Sequence, residues 1–139
     1  MEPLEVIQPL GVQLFVVFNL EDYRSILAYF GILELSAPTE EEIAFVHVFT
    51  GKNKFNMVVM FDSESSTIGA MGVEELRRVV IHESTHVMQY YTEIIGDKER
   101  SHEFEACFME YIYEVLWNAV VSSHRFSVLG RPTKKKKFR

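Results

Sequence analysis

The chain has 139 residues, of which 47% are hydrophobic and 24% charged, a balance typical of one globular domain with its own core. Its single cysteine, Cys107, excludes an internal disulfide framework and a cysteine-rich zinc site, so a metal site would have to use histidines and carboxylates. The apolar run 11–20 lacks the charged flank and cleavage site of a signal peptide, and no apolar run reaches the roughly 20 residues of a spanning helix. We therefore expect a protein of the cytoplasm or of a virion, without membrane contact.

The charge is unevenly distributed along the chain. Six of the 14 Lys and Arg residues lie in 131–139, so the body before Arg131 carries 8 basic residues against 20 acidic ones. An acidic body disfavours nucleic-acid binding by the fold itself, whereas the basic end could contact an anionic partner. We expect a domain over 1–130 followed by a basic tail over 131–139.

The first third of the chain predicts a strand and a helix. Residues 10–18 alternate weakly and are rich in Val and Phe, which is typical of a buried strand. A helix should begin at Asn19, because Glu21 and Asp22 would lie in its first turn. The segment 36–39, Ser-Ala-Pro-Thr, should end it.

A β-hairpin is expected next. The apolar runs 43–49 and 55–61 flank the turn-rich loop 50–54. Thr39 and Glu42 resemble a capping box, which leaves a helix as the alternative for 43–49. The β-branched and aromatic residues of that run favour a strand.

Two helices should form the second half. One runs over 73–95 and ends at Gly96, and the other runs from 102 to about 121. The expected fold is α+β: a short antiparallel sheet or hairpin packs on a helix that carries residues 82–86, and a second long helix follows it.

The sequence His82-Glu83-Ser84-Thr85-His86 carries the predicted chemistry. Two histidines four apart point the same way from a helix, so both imidazoles can reach one Zn²⁺ at about 2.0–2.1 Å. Glu83 can then act as a base towards a zinc-bound water, whose pKa the metal lowers towards about 7. The competing explanation is a pair of satisfied core histidines, and the apolar residues around the motif favour a metal site.

A catalytic zinc usually has three protein ligands, and the second helix offers His102, Glu103 and Glu105 as the third. Glu103 shares its face with Glu110 and Glu114, a stripe that looks solvated. Glu105 shares its face with apolar residues, where an unpaired carboxylate is costly. We therefore predict Glu105 as the ligand, with His102 as the alternative.

The motif, with Glu105-Ala106 starting 19 residues after His86, resembles the gluzincin branch of the zincin metallopeptidases. In that branch a Glu-Ala pair about 20 residues after the second His supplies the third ligand. With Gln89 the motif becomes HExxHxxQ, as in small metallopeptidases of bacteria and tailed bacteriophages. The resemblance covers 76–116 and implies a zinc-dependent peptidase. It also implies a zincin-like form of the α+β fold, in which the helix after the motif carries the third ligand. Met109 stands where thermolysin-like members have an Asp that supports a zinc ligand.

Four other residues are candidates for the site. His47 could face the substrate cleft but is expected to be an ordinary core or surface histidine. Tyr90 and His102 are candidates for positions behind a ligand or beside the substrate, although ordinary packing is favoured for Tyr90. Cys107 is expected to be a small core residue.

The expected activity is zinc-dependent hydrolysis of a peptide bond in a peptide or protein substrate, with Glu83 activating the water. The alternative is a non-enzymatic protein stabilised by zinc, such as an assembly component of a phage virion, whose peptidase site is vestigial. A third reading makes the chain a tethering module that docks through its tail. The number of protein ligands around the metal would separate the first two readings.

Overall fold

The computed structural model describes residues 2–8, 10–32, 42–96 and 102–130. These residues form an α+β fold, as predicted from the sequence. The strands are β1 (Glu5–Ile7), β2 (Val12–Val17), β3 (Ala44–Gly51) and β4 (Lys54–Phe61). The helices are α1 (Leu20–Tyr29), α2 (Ser66–Gly69), α3 (Val73–Ile95) and α4 (His102–Ser123), and a 3₁₀ turn follows at Ser127–Leu129.

The sheet is mixed, which corrects the expectation of an antiparallel one. Its strand order is β1-β2-β4-β3, with β2 parallel to β4 and the other two pairings antiparallel. The chain leaves β2 through α1 and enters the sheet again at its far edge as β3. The hairpin then returns β4 between β3 and β2, so β4 runs in the direction of β2. Strand β3 is left as an edge strand with one side open.

The predicted hairpin is confirmed, and the helical alternative for 43–49 is excluded by β3. Its connection is only Lys52-Asn53, with φ of 54° and 62°. Two positive φ values in a two-residue loop match the twist of the flanking strands.

Helix α1 begins where the sequence indicates. The side chain of Asn19 accepts a hydrogen bond from the backbone N–H of Asp22 at 2.7 Å and caps the helix. The helix ends at Tyr29, and Gly31 follows with φ of +70°. The prediction that the segment 36–39 ends this helix is therefore wrong, because the helix ends before that segment begins. Residues 36–39 themselves lie outside the described residues, as do residues 97–101 and the basic tail 131–139.

The sheet separates two apolar clusters. On one face α1 packs through Tyr23 and Ile26 against side chains that include Phe45 and Val58. On the other face α3 and α4 pack against β2, β3 and β4. Their buried side chains include Leu76, Val80, Val87, Tyr91, Phe108, Ile112, Leu116 and Val120. The sheet thus has helices on both faces, and its free edge at β3 runs beside α3.

Helix α3 matches the predicted range 73–95. Glu75 Oε1 accepts a hydrogen bond from the backbone N–H of Gly72 at 3.1 Å, which closes the first turn. Gly96 ends the helix in the left-handed conformation, with φ of 69°. The apolar side chains between these ends, among them Leu76, Val80 and Val87, determine which face of α3 meets the sheet.

Sequence reasoning missed the short elements. Strand β1 and helix α2 were not predicted, and α2 lies within a segment, 62–72, that reads as a loop. Within the described ranges, no helix combines the length and the apolar character needed to cross a bilayer.

Candidate metal centre

The two histidines of the motif lie side by side on α3, one turn apart. Their Nε2 atoms are 3.1 Å apart, and the ring planes are nearly perpendicular, at 85°. Two nitrogens bound at about 2.0–2.1 Å to one tetrahedral zinc ion would be roughly 3.3–3.4 Å apart. The pair therefore already has nearly the spacing of two ligands of one metal ion.

Gln89 sets the orientation of the second imidazole. Its side-chain oxygen lies 3.0 Å from His86 Nδ1, so the Nδ1–H group donates to the amide oxygen. The proton of a neutral imidazole is then on Nδ1, and the lone pair is on Nε2, the atom that faces His82. A partner of this kind commonly fixes the tautomer of a metal-binding histidine.

Within the described ranges, Glu83 differs from the other carboxyl groups in its burial. Its side chain is only 5% exposed, and its Oε1 atom is buried without a hydrogen-bond partner. Burial raises the pKa of this group from 4.5 to about 7; His86 acts in the opposite sense, and the charge of Glu42 raises the pKa further. A buried, unpartnered carboxyl group is costly to fold and is typical of a functional site.

A cleft of about 440 Å³ opens beside this group, between α3 and the beginning of β3. The α3 wall and the β3 wall together are formed by Glu42, Ile43, Ala44, Arg78, Val79, His82 and Glu83. Within the described ranges β3 is an edge strand, and the cleft lies beside its beginning. An extended peptide could pair with such an edge while lying over the motif.

The third ligand predicted from the sequence is not assembled with the pair. Within the described ranges, no three His, Cys, Asp or Glu side chains are placed together so that they could hold a metal ion. Glu105 is half-buried in the first turn of α4, whereas Glu103 and His102 are exposed. Glu105 as the third ligand stays a prediction. Glu105 is more buried than Glu103, as the sequence led us to expect.

His47 lies on the opposite face of the sheet from the motif. Its ring stacks on Phe45, and its Nδ1 atom is hydrogen-bonded to the hydroxyl of Tyr23 in α1. This confirms the prediction of an ordinary packed histidine. Tyr90 packs against the core, with its ring centroid 6.4 Å from that of His86, as expected for a packing aromatic.

Two predictions about packing on α4 need correction. Cys107 is exposed and is not a core residue. Phe104 and Tyr111 belong to a run whose helical spacing predicts core positions, but they are 36% and 38% exposed. Helix α4 packs through Phe108 and the residues at intervals of four after it, so its flank at Phe104 and Tyr111 is left on the surface.

The sequence identified His82 and Glu83 but did not identify Glu42, Ala44 or Arg78 as residues that line the cleft. Glu42 and Ala44 reach the motif only through the packing of β3 on α3, which no local pattern reveals. Arg78 could have been found, because it precedes His82 by four residues and must share its side of the helix.

No protein-family model matches the chain, and neither a curated protein nor a solved structure matches it significantly. The likeness to zincins therefore depends on the motif and on the geometry described above.

Proposed function

We propose that the protein is a zinc-dependent peptidase in which His82 and His86 hold the metal and Glu83 is the catalytic base. The observation that carries this proposal is the buried carboxyl group of Glu83, whose Oε1 atom has no hydrogen-bond partner, next to two imidazoles whose Nε2 atoms are 3.1 Å apart. A zinc ion at this pair would polarise the scissile carbonyl and lower the pKa of water towards about 7.

The side chains of the motif have separate roles in the proposed reaction. Gln89 holds the ring of His86 so that its Nε2 atom faces His82, where both imidazoles can bind one cation. Glu83 has a pKa of about 7, which suits a group that takes a proton from water and later gives it to the leaving amine. Its burial keeps bulk water from the carboxyl group.

The substrate would lie in the cleft between β3 and α3. The open edge of β3 offers backbone donors and acceptors to an extended chain, and His82 and Glu83 line the same cleft. Recognition through the backbone places a peptide bond over the motif whatever its side chains.

The alternative is a structural zinc protein. A structural zinc site is closed by four protein ligands, whereas a catalytic site has three and keeps one position open. His82 lines an open cleft next to Glu83, whose buried Oε1 atom has no hydrogen-bond partner, and this arrangement supports the enzyme better.

The first experiment measures zinc. Elemental analysis of protein purified without chelators should find about one zinc per chain, and the double variant His82→Ala, His86→Ala should lose it. His47→Ala is the matched control, because that histidine lies on the other face of the sheet and should not alter the zinc content.

The second experiment separates the enzyme from the structural protein. Glu83→Gln should keep the zinc and lower the peptidase turnover by about 10²–10⁴. Glu93→Gln, an exposed position later on the same helix, should change neither quantity. If the wild type binds zinc but cleaves nothing in a broad peptide library, the structural alternative replaces the enzyme.

A further inference from the structure

Arg78 lies on the α3 wall of the cleft, one helical turn before His82. Side chains four residues apart on a helix have Cβ atoms about 5–6 Å apart, and an arginine side chain reaches several ångströms further. Its guanidinium group is therefore within about one or two residues of a peptide bond lying over the motif, since an extended chain advances about 3.3 Å per residue.

Arg78 forms no ion pair with any residue that the structure describes. The described part of the chain holds a single ion pair, Arg77 with Glu74 at 3.9 Å, and Arg77 also lies over the ring of Trp117. Arg78 is exposed and makes neither kind of contact in the described ranges. The two neighbouring arginines thus differ. Arg77 contacts Glu74 and Trp117, whereas Arg78 lines the cleft.

The opposite wall carries the opposite charge. Glu42 precedes β3 and lines the same cleft, and the two side chains are not ion-paired with each other. A carboxylate on a ligand is therefore attracted to the α3 wall and repelled by the β3 wall. This asymmetry allows only one placement of an acidic group in the cleft.

We propose that Arg78 determines substrate specificity, by binding a carboxylate one or two residues from the scissile bond. The inference rests on the proposed peptidase function and names its substrate class, which is acidic peptides. A planar guanidinium group binds a carboxylate through two parallel hydrogen bonds, a geometry that lysine cannot reproduce. The carboxylate comes from an Asp or Glu side chain or from the C-terminus of a short peptide.

The test uses the full-length, zinc-loaded protein and a set of fluorogenic peptides. One position at a time, on either side of the scissile bond, carries Asp, Asn or Lys, and each peptide is made with a free and with an amidated C-terminus. For the wild type, one position should show about a three- to tenfold higher kcat/KM with Asp than with Asn. If only the free C-terminus gives the gain, the terminal carboxylate is the ligand.

Four variants assign the preference to one side chain. Arg78→Gln should abolish it, and Arg78→Glu should transfer it to Lys. Arg77→Gln removes the same charge at the next position and should keep it. Arg78→Lys should retain only part of it. The preference should also shrink as salt is added, because the pair is exposed.

A second readout keeps the inference separate from the peptidase proposal. Fluorescence anisotropy measures binding of the same peptides to zinc-loaded Glu83→Gln protein, with and without the Arg78→Gln change. If the wild type cleaves peptides without an acidic preference, or if Arg78→Gln keeps that preference, the specificity role is overturned and the peptidase stands. If nothing is cleaved, the peptidase proposal fails, and Arg78-dependent binding of acidic peptides decides the recognition role. Absence of such binding overturns both.

Discussion

The Nδ1 atom of His86 lies 3.0 Å from the side-chain oxygen of Gln89, one turn later on the same helix. A neutral amide occupies the place where many metal-binding histidines have a carboxylate or a carbonyl partner. The contact orients the ring without adding a negative charge near the cleft.

Replacing this partner should weaken zinc binding. Gln89→Leu removes the acceptor, and we expect zinc affinity to fall by about tenfold or more, because such supporting contacts contribute 10- to 100-fold. Gln89→Glu restores an acceptor and should bind at least as tightly as the wild type. Competition with a chromophoric chelator measures both. Gln8→Leu changes an exposed glutamine elsewhere and is the control. Equal zinc affinities for Gln89→Leu and Gln8→Leu would refute the orienting role of Gln89.

Glu105 is predicted to complete the zinc site. Metal binding would require its carboxylate to turn towards the histidine pair, and its half-buried place in the first turn of α4, which packs along α3, favours it over its exposed neighbours. Glu105→Ala should lower zinc affinity far more than Glu103→Ala or His102→Ala, because two histidines alone bind zinc weakly. Zinc titrations of the three variants measure this order. If His102→Ala or Glu103→Ala loses the metal and Glu105→Ala keeps it, the assignment is wrong.

The buried carboxyl group makes the stability of the metal-free protein depend on pH. Burial raises the pKa of Glu83 from 4.5 to about 7, so the folded protein holds this proton at pH values where the unfolded chain has lost it. The contribution of Glu83 to the free energy of unfolding should be greatest below pH 4.5, fall as the pH rises to about 7, and then level off. The loss is about 3 kcal/mol at most.

Comparison with Glu83→Gln isolates this contribution from those of other carboxyl groups. Urea unfolding of chelator-treated protein should show that the free energy of unfolding falls more between pH 5 and pH 8 for the wild type than for the variant. The variant should also be the more stable of the two at pH 8. Equal losses in the two proteins would mean that Glu83 is solvated in the folded state.

The basic tail should confer salt-sensitive binding to an anionic surface. Truncation after Gly130 removes six positive charges, and we expect it to abolish binding to DNA or heparin without altering zinc content. The double variant Lys52→Gln, Lys54→Gln removes two charges from the hairpin and should have a smaller effect. Affinity should fall steeply between low and physiological salt. Full-length protein that binds neither polyanion at low salt would contradict the prediction.

The elements that the sequence predicted well have strong local signals. Helix α3 has Glu74 and Glu75 at its start and Gly96 at its end, so its range and the facing of His82 and His86 followed directly. Strand β1 has three residues, too few for a periodic pattern. The parallel pairing of β2 with β4 depends on where α1 carries the chain, and the β3 wall of the cleft depends on packing between distant segments.

The separation of the core into two apolar clusters by the sheet has an evolutionary consequence. The cleft, the histidine pair and Glu83 all depend on the face that carries α3 and α4, whereas the side chains around Tyr23 and Ile26 lie behind the strands. Substitutions behind the sheet must preserve volume and apolar character, but they need not preserve any chemistry. The side chains of that cluster are therefore free to diverge, and a conserved signature should be sought on the face that carries His82, Glu83 and His86.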